Sequence, residues 1–211
     1  MFAGLVCAPQ MKGQAAVDVS VGLGANHSSA TGVGIDNAFS SNAFGSCSLN
    51  VGDAFCQATP GLNGVFMGIG GDIMFKDHFG AGFQFNFQPT KHDYGPLQYR
   101  ESFIDVNGIF APINRKRWSV QILGGIGSAR TGFSFSQSSC VGTAVCSTQS
   151  QSVGTANHFA IHGGVALQYF VWNHVFIKPQ FDYHYVPNLN DQFGSNSVPG
   201  AMISIGYGSS R

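Results

Sequence analysis

Charge is what this sequence has least of. Lys, Arg, Asp and Glu make up 9% of its 211 residues, against about 25% in an ordinary soluble domain. A soluble surface usually carries about 25–35%. The ten basic and ten acidic residues cancel, so net charge recruits neither nucleic acid nor an anionic membrane surface. Low charge without an acidic or basic tail also argues against a disordered chain. No run of about 18 or more apolar residues occurs, so no helix can span a bilayer. Tryptophan is scarce, with 2 residues. Abundant instead are glycine, with 29 residues and roughly double its usual share of about 7%, and phenylalanine, with 19. An apolar, aromatic, Gly-rich chain without a spanning helix leaves one membrane architecture open, the β-barrel.

Residues 1–15, MFAGLVCAPQMKGQA, have a short apolar stretch with no Lys or Arg before it. They are expected to be a truncated export signal cleaved near Ala15, or a disordered leader, and stand outside the fold. Five cysteines are present. Cys47 and Cys56 lie close together in one Ser/Asn/Gly-rich stretch, and Cys140 and Cys146 in another. Neither pair has histidines at zinc-finger spacing. Two local loop disulfides in an oxidising compartment are expected, although four cysteines allow three pairings and only proximity selects this one. Cys7 falls in the leader.

The remainder, 16–211, alternates apolar and polar residues in eight segments. The first, 17–24, sets Val17, Val19, Val21 and Leu23 against Asp18, Ser20 and Gly22. The second, 64–76, sets Val65, Met67, Ile69, Ile73 and Phe75 against Gly68, Gly70, Asp72 and Lys76. In the third, Phe83, Phe85 and Phe87 alternate with Gln84, Asn86 and Gln88. The fourth, 98–113, opposes Ile104, Val106 and Phe110 to Glu101, Phe103, Asp105 and Asn107. The fifth opposes Trp118, Val120, Ile122 and Ile126 to Ser119, Gln121 and Gly125. In the sixth, 156–171, Phe159, Ile161, Val165, Leu167 and Tyr169 alternate with His158, His162, Gly164 and Gln168. The seventh sets Val175, Ile177, Phe181, Tyr183 and Tyr185 against Lys178, Gln180, Asp182 and His184. The eighth, 198–209, sets Ala201, Ile203, Ile205 and Tyr207 against Met202, Ser204 and Gly206.

Short turns (KDHFG, NRKR, VWNH) alternate with longer links at 25–63, 90–97, 131–155 and 187–197. Outer-membrane barrels have short periplasmic turns and long external loops. Both termini are therefore expected in the periplasm, and both cysteine pairs in the external loops 25–63 and 131–155. The expected fold is all-β, an eight-stranded antiparallel up-and-down transmembrane barrel. Its apolar face meets lipid, where a mid-bilayer Arg or Lys costs about 2–4 kcal/mol. Tyr99, Trp118, Tyr169, Trp172, Tyr183, Tyr185 and Tyr207, near segment ends, are read as interfacial girdles. A lipocalin-like soluble barrel is the rival, but its interior would be the apolar face.

The pattern from Val17 to Tyr207 resembles the small eight-stranded outer-membrane barrels of the OmpA and OmpX kind. Residues 94–129, YGPLQYRESFIDVNGIFAPINRKRWSVQILGGIGSA, are similar to a central hairpin of outer-membrane β-barrel-domain proteins of bacteria. Tyr207, followed by GSSR, stands where the resemblance implies a terminal aromatic signal for membrane insertion. The resemblance implies a bacterial outer-membrane location, with outer-membrane lipid and lipopolysaccharide as surroundings. It leaves room for a surface ligand or a role as subunit of an envelope complex.

The polar face is expected to form a lumen network of Asp18, Asp72, Glu101, Asp105, Lys178, Asp182 and His184. Carboxylates beside histidines are the groups of acid–base catalysis. An eight-stranded interior, however, is just wide enough for side chains to fill, and buried charges there must pair without any chemistry. His158 and His162, four residues apart on one strand face, stand about 13 Å apart, too far to share a metal. Lipid A deacylase-type barrels resemble a His-x-Ser-Asn arrangement, but the comparable stretch here is His162-Gly163-Gly164-Val165. No GxSxG elbow occurs. GIGG at 68–71 and GGIG at 124–127 lie inside strands with no helix after them, unlike a phosphate loop. No catalytic residue, metal or cofactor is therefore expected. The expected role is a structural scaffold or surface binder acting through its external loops, with Phe39, Phe44, Phe55, Phe133 and Phe135 as contact points. A narrow ion or small-solute channel and the soluble ligand-binding barrel are the alternatives.

Overall fold

The computed structural model describes residues 16–29, 61–94, 97–141 and 145–209. Nine strands follow one another: β1 (Ala16–His27), β2 (Asn63–Lys76), β3 (Phe79–Phe87), β4 (His92–Tyr94), β5 (Leu97–Asn114), β6 (Trp118–Val141), β7 (Val145–Phe170), β8 (Val175–Tyr185) and β9 (Ser197–Gly208). A 3-10 turn, Leu189–Asp191, lies between the last two. All pairings are antiparallel, and β1 pairs with β9 as well as with β2, so the sheet closes on itself.

The count is nine strands where the alternation predicts eight. The extra strand is the three-residue β4, which pairs only with the start of β5. β3 itself pairs with β5 directly. β4 thus prolongs the line of β3 at the loop end after a break at Pro89, and the closed ring has eight strands. A proline cannot supply the ladder N–H that would carry one strand through.

Alternation decides which face is which. On β1, Val17, Val19, Val21 and Leu23 are each at least half exposed while Asp18 is 1% exposed. Facing residues keep the same parity: Val21 lies opposite Ile69 on β2 and Ile205 on β9, and all three are exposed. The wall is a continuous apolar band of a size that a water-soluble monomer does not display. This contradicts the soluble alternative, whose apolar face would be inside.

Two expectations about links change. The 131–155 segment, expected as a loop, is mostly β-ribbon: β6 runs to Val141 and β7 starts at Val145. Ser, Thr, Gln and Val at alternating positions satisfy a two-stranded ladder although they read as loop composition. The ribbon departs from the wall where β5 stops pairing with β6 at Gln98–Ser134. At that point a bulge gives β7 one extra residue, Val153, between the pairs Phe133–Gly154 and Ser134–Ser152. Of the 25–63 link, Ala25 to His27 belong to β1 and Asn63 to β2. Residues 30–60, with Cys47, Cys56, Phe39, Phe44 and Phe55, lie outside the described residues, as do 1–15.

The β7–β8 ladder lapses once, between Ala166–Gln180 and Tyr169–Ile177. Pro179 stands in the gap and has no N–H to offer Leu167.

Tight packing between neighbouring strands fixes where glycine is required. A Cβ on Gly125 would lie 2.0 Å from the backbone oxygen of Val106 and 2.5 Å from Asn107 Oδ1, whereas one on Gly124 meets nothing within 4 Å. Gly125→Ala should therefore destabilise the folded barrel by about 1–3 kcal/mol, while Gly124→Ala changes stability by less than about 0.5 kcal/mol. Urea unfolding of the two variants side by side in detergent checks this, and equal midpoints would refute the packing argument.

Candidate functional site: the sealed lumen and the loop-end ribbon

Inward parity from all eight wall strands fills the lumen in layers. At the loop end lies an apolar plug of Phe66 from β2, Tyr99 and Phe103 from β5, and Phe133 from β6. Leu189 and Phe193, on the link between β8 and β9, fold down into the mouth and are wholly buried. Tyr94 on β4 ties this lid in place. Its ring stands edge-on to Phe133 at 5.1 Å and to Phe193 at 5.7 Å, and its hydroxyl donates to the backbone oxygen of Gln192. Gln192 in turn meets His158 at 2.7 Å.

Beneath the plug, Glu101 is wholly buried and accepts the Thr131 hydroxyl. Its backbone N–H donates to Gln88 Oε1 at 2.8 Å. Next comes a stack of rings: Phe103 on His184 at 4.5 Å, and His184 on His162 at 4.6 Å with an interplanar angle of 26°. Each imidazole has its own carboxylate. His184 Nε2 lies 3.0 Å from Asp105 Oδ2, and His162 Nε2 lies 2.8 Å from Asp182 Oδ1. The other nitrogen of His162 meets Asn107 Oδ1 at 2.6 Å. Gln180 Nε2 donates to Asp182 at 2.7 Å and to Gln84 at 2.8 Å, linking β8 across the lumen to β3.

Toward the turn end, Lys178 Nζ meets Asp72 Oδ2 at 2.6 Å, with both side chains nearly buried. Gln168 Nε2 donates to Asp18 Oδ2 at 2.9 Å, and Gln121 Nε2 to Gln168 Oε1 at 3.0 Å. A cavity of about 20 Å³ beside Lys178, Gln180 and Ser204 has room for about one water molecule. Below it, Phe170 and Phe176 meet edge to face at 5.6 Å, and Met74, Ile109, Ala111, Leu123 and Ala166 form a second buried apolar cluster.

Asp18, Asp72, Glu101, Asp105, Lys178, Asp182 and His184 are thus all inside, but not as a single cluster. They form three separate groupings: Glu101 with Thr131, the two His–Asp pairs, and Lys178–Asp72 with Asp18 opposite Asp72 in the β1–β2 ladder. His162, Asn107, Gln84, Gln121, Gln168 and Gln180 complete the groupings. Their inward parity marks them in the sequence, whereas their partners, on other strands, are not marked there. Lys76, on the polar side of the alternation, is exposed at a turn.

Two aromatic assignments change. Tyr99, read as a girdle residue, is 2% exposed and sits in the plug, as does Phe133, read as a surface contact. Both have inward parity, and at the mouth that parity is apolar. Trp118, Tyr169, Trp172 and Tyr207 near the turn end, and Tyr183 and Tyr185 near the loop end, do face outward. Among the described residues no group of three or more His, Cys, Asp or Glu is placed to hold a metal ion. In the ribbon, Cys140 and Cys146 are register partners.

A closed antiparallel ring with an apolar outer wall and a side-chain-filled interior defines a small transmembrane β-barrel. The sequence profile of the outer membrane protein beta-barrel domain matches residues 1–209, and the chain belongs to that family, which places it in the bacterial outer membrane. Two solved structures are similar in fold. One is Neisserial surface protein A, with 11% identity, a TM-score of 0.53, and coverage of 94% of this chain and 99% of that one. The other is the attachment invasion locus protein Ail of Yersinia pestis, in complex with the heparin analogue sucrose octasulfate. It has 14% identity, a TM-score of 0.51, and coverage of 92% and 99%. No curated protein matches by sequence.

The Lys178–Asp72 pair gives a test of how the lumen is held. Lys178→Met leaves Asp72 buried without its cation and should cost about 3–5 kcal/mol. Adding Asp72→Asn removes the stranded charge and should recover most of that loss. Thermal midpoints of heat-modifiable mobility for the single and double variants decide it. A double variant no better than the single one would show that the pair is not the cause.

Proposed function

We propose that this protein is a non-catalytic, non-conducting outer-membrane barrel that presents a recognition surface outside the cell, with both termini and the short turns in the periplasm. The observation that carries the reading is a sealed lumen combined with a ribbon that outruns the wall. The plug at one end and the Phe170–Phe176 pair at the other leave the buried histidines and carboxylates without access to a substrate or a stream of ions. The ribbon beyond Ser134 continues for seven more β6 residues paired to β7, about 23 Å at strand rise.

Residues 131–157 contain no Lys, Arg, Asp or Glu, so the ribbon recognises by hydrogen bonding and apolar contact, with Phe135 and Val153 exposed on it. Lys91 Nζ braces it through Ser150 Oγ at 2.5 Å. We propose one disulfide clamp between Cys140 and Cys146, which are register partners in the ribbon, and a matching clamp between Cys47 and Cys56 in the first external loop. A surface ligand or another subunit of the envelope is the partner such a ribbon would meet, amid lipopolysaccharide.

The test joins two measurements. In a planar bilayer the purified barrel should give no discrete conductance steps. Replacing residues 135–151 by an Asn-Gly turn, which closes a two-residue hairpin, should leave the barrel heat-modifiable. Cells displaying the intact chain should bind members of a panel of immobilised proteins and glycans, and cells displaying the replacement should lose that binding. Single-channel steps, or attachment unaffected by the replacement, would overturn the reading. The clamps are checked separately by peptide mapping without reductant, which should recover Cys140 linked to Cys146 and Cys47 linked to Cys56. Alkylated free thiols at these positions would remove them from the mechanism.

A further inference from the structure

We propose that the turn end of the barrel is a docking surface for anionic phospholipid headgroups of the inner leaflet, whose phosphates are held by Lys76, Arg115, Lys116 and Arg117. The leaflet assignment rests on the reading that the turns face the periplasm.

The charge distribution is the first observation. The three turns at this end, 76–79, 114–118 and 171–175, carry these four cations, all exposed. Asp77 is the one carboxylate among the described residues of those turns. None of the four cations makes an ion pair among the described residues. In a chain whose charges cancel overall, and whose buried Lys178 is occupied by Asp72, this end has an unanswered excess of positive charge. Guanidinium groups offer paired N–H donors that match phosphate oxygens, and lysine adds a point charge.

The second observation is that the cations sit on a tied platform. Asn114 Nδ2 donates to the backbone oxygen of Asp77 at 2.6 Å, a ring nitrogen of His78 lies 2.6 Å from the backbone oxygen of Ala111, and Ala111 N–H donates to the backbone oxygen of His78 at 2.8 Å. The 114–118 turn closes on itself through Arg115 N–H to Trp118 O at 2.9 Å. It joins the third turn through Phe170 N–H to Arg117 O at 2.8 Å. Lys76 is therefore held beside the Arg115–Arg117 run.

Depth is the third observation. Trp118 follows the run directly, is exposed outward and pairs in register with Tyr169. Phe79 packs on Phe110 at 5.3 Å on the neighbouring strands. Tryptophan and tyrosine rings settle at headgroup level, so cations just beyond them lie at the level of lipid phosphates. Basic residues there attract anionic lipid, by about fivefold in affinity per residue.

The test uses the full chain folded into liposomes of equal phosphatidylethanolamine and phosphatidylglycerol, extracted in mild detergent and weighed intact by native mass spectrometry. The expected result is preferential retention of phosphatidylglycerol. It should fall at least tenfold in the triple variant R115Q/K116Q/R117Q and persist in R115K/K116R/R117K, with both variants heat-modifiable. Equal retention of the two lipids by the unaltered chain, or undiminished phosphatidylglycerol on the glutamine variant, overturns the proposal. So does displacement of phosphatidylglycerol by lipopolysaccharide through the same residues. An epitope inserted between Asn173 and His174 reads orientation independently: it should be stained only in permeabilised cells. Staining on intact cells would overturn the leaflet assignment whatever the lipid result.

Discussion

A bilayer core holds no water to satisfy a backbone N–H or C=O, and each group left unpaired there costs several kcal/mol. The rest of this structure depends on how that constraint is met, at the seam where the first strand pairs with the last. β1 is laddered to β9 from Asp18–Gly208 to Asn26–Gly200 and to β2 along its other edge, so the wall has no edge to protect. Once the ring is closed, parity is fixed around it, because a slip of one residue would turn a lipid-facing row inward. The irregularities sit accordingly. The bulges in β2–β3 and β5–β6 fall at the turn end, and the one in β6–β7 at the rim where the ribbon departs. The lapse beside Pro179 changes no register on either side of it.

Closure at eight strands also sets the interior, since a ring of that size has room for side chains and little else. Five buried carboxylates, Asp18, Asp72, Glu101, Asp105 and Asp182, share this space with one buried lysine among the described residues. Asp18 and Asp72 even stand opposite each other in the β1–β2 ladder, and the deficit is met by giving each acid a different donor: Gln168, Lys178, Thr131, His184 and His162 respectively. Such chains of polar groups fix one arrangement of the core more firmly than apolar packing alone, because leaving any member unpaired is costly. The aromatic plug has a different task. It lies at the mouth and excludes water from the polar layers beneath it.

Strand alternation was legible because lipid imposes a strict rule on one face: Phe83, Phe85 and Phe87 against Gln84, Asn86 and Gln88 leave no doubt about parity. Depth was not legible. Tyr99 and Phe133 are aromatic near strand ends, as girdle and loop residues are, and only their inward parity separates them from Tyr183 and Tyr185. The ribbon is hidden in the sequence for a related reason. Outside the bilayer nothing requires one face to be apolar, so Ser, Gln and Thr alternate with one another and the period of two disappears from hydropathy. The partners of the lumen groups were out of reach because they are set by strand shear around the ring. No spacing in the sequence brings His162 to both Asp182 and Asn107; the closed register does.

The two ends of the barrel therefore solve different physical problems with different residues. A ribbon without a formal charge over residues 131–157 gains little from long-range attraction. On the proposed reading, its specificity comes from short-range hydrogen bonds and from Phe135 and Val153, and is insensitive to salt. The turn end carries its excess of cations beside a ring of aromatic residues, where attraction to phosphate acts over about a Debye length and weakens as salt rises. On the same reading, charge placed at the ribbon would draw it toward an anionic membrane surface. Charge removed from the turns would leave only tryptophan and tyrosine to fix the depth of the barrel. Lys91, Asp93, Arg100 and Arg130 are also exposed, toward the loop end, so what sets the turns apart is a contiguous run, Arg115 to Arg117, tied beside Lys76.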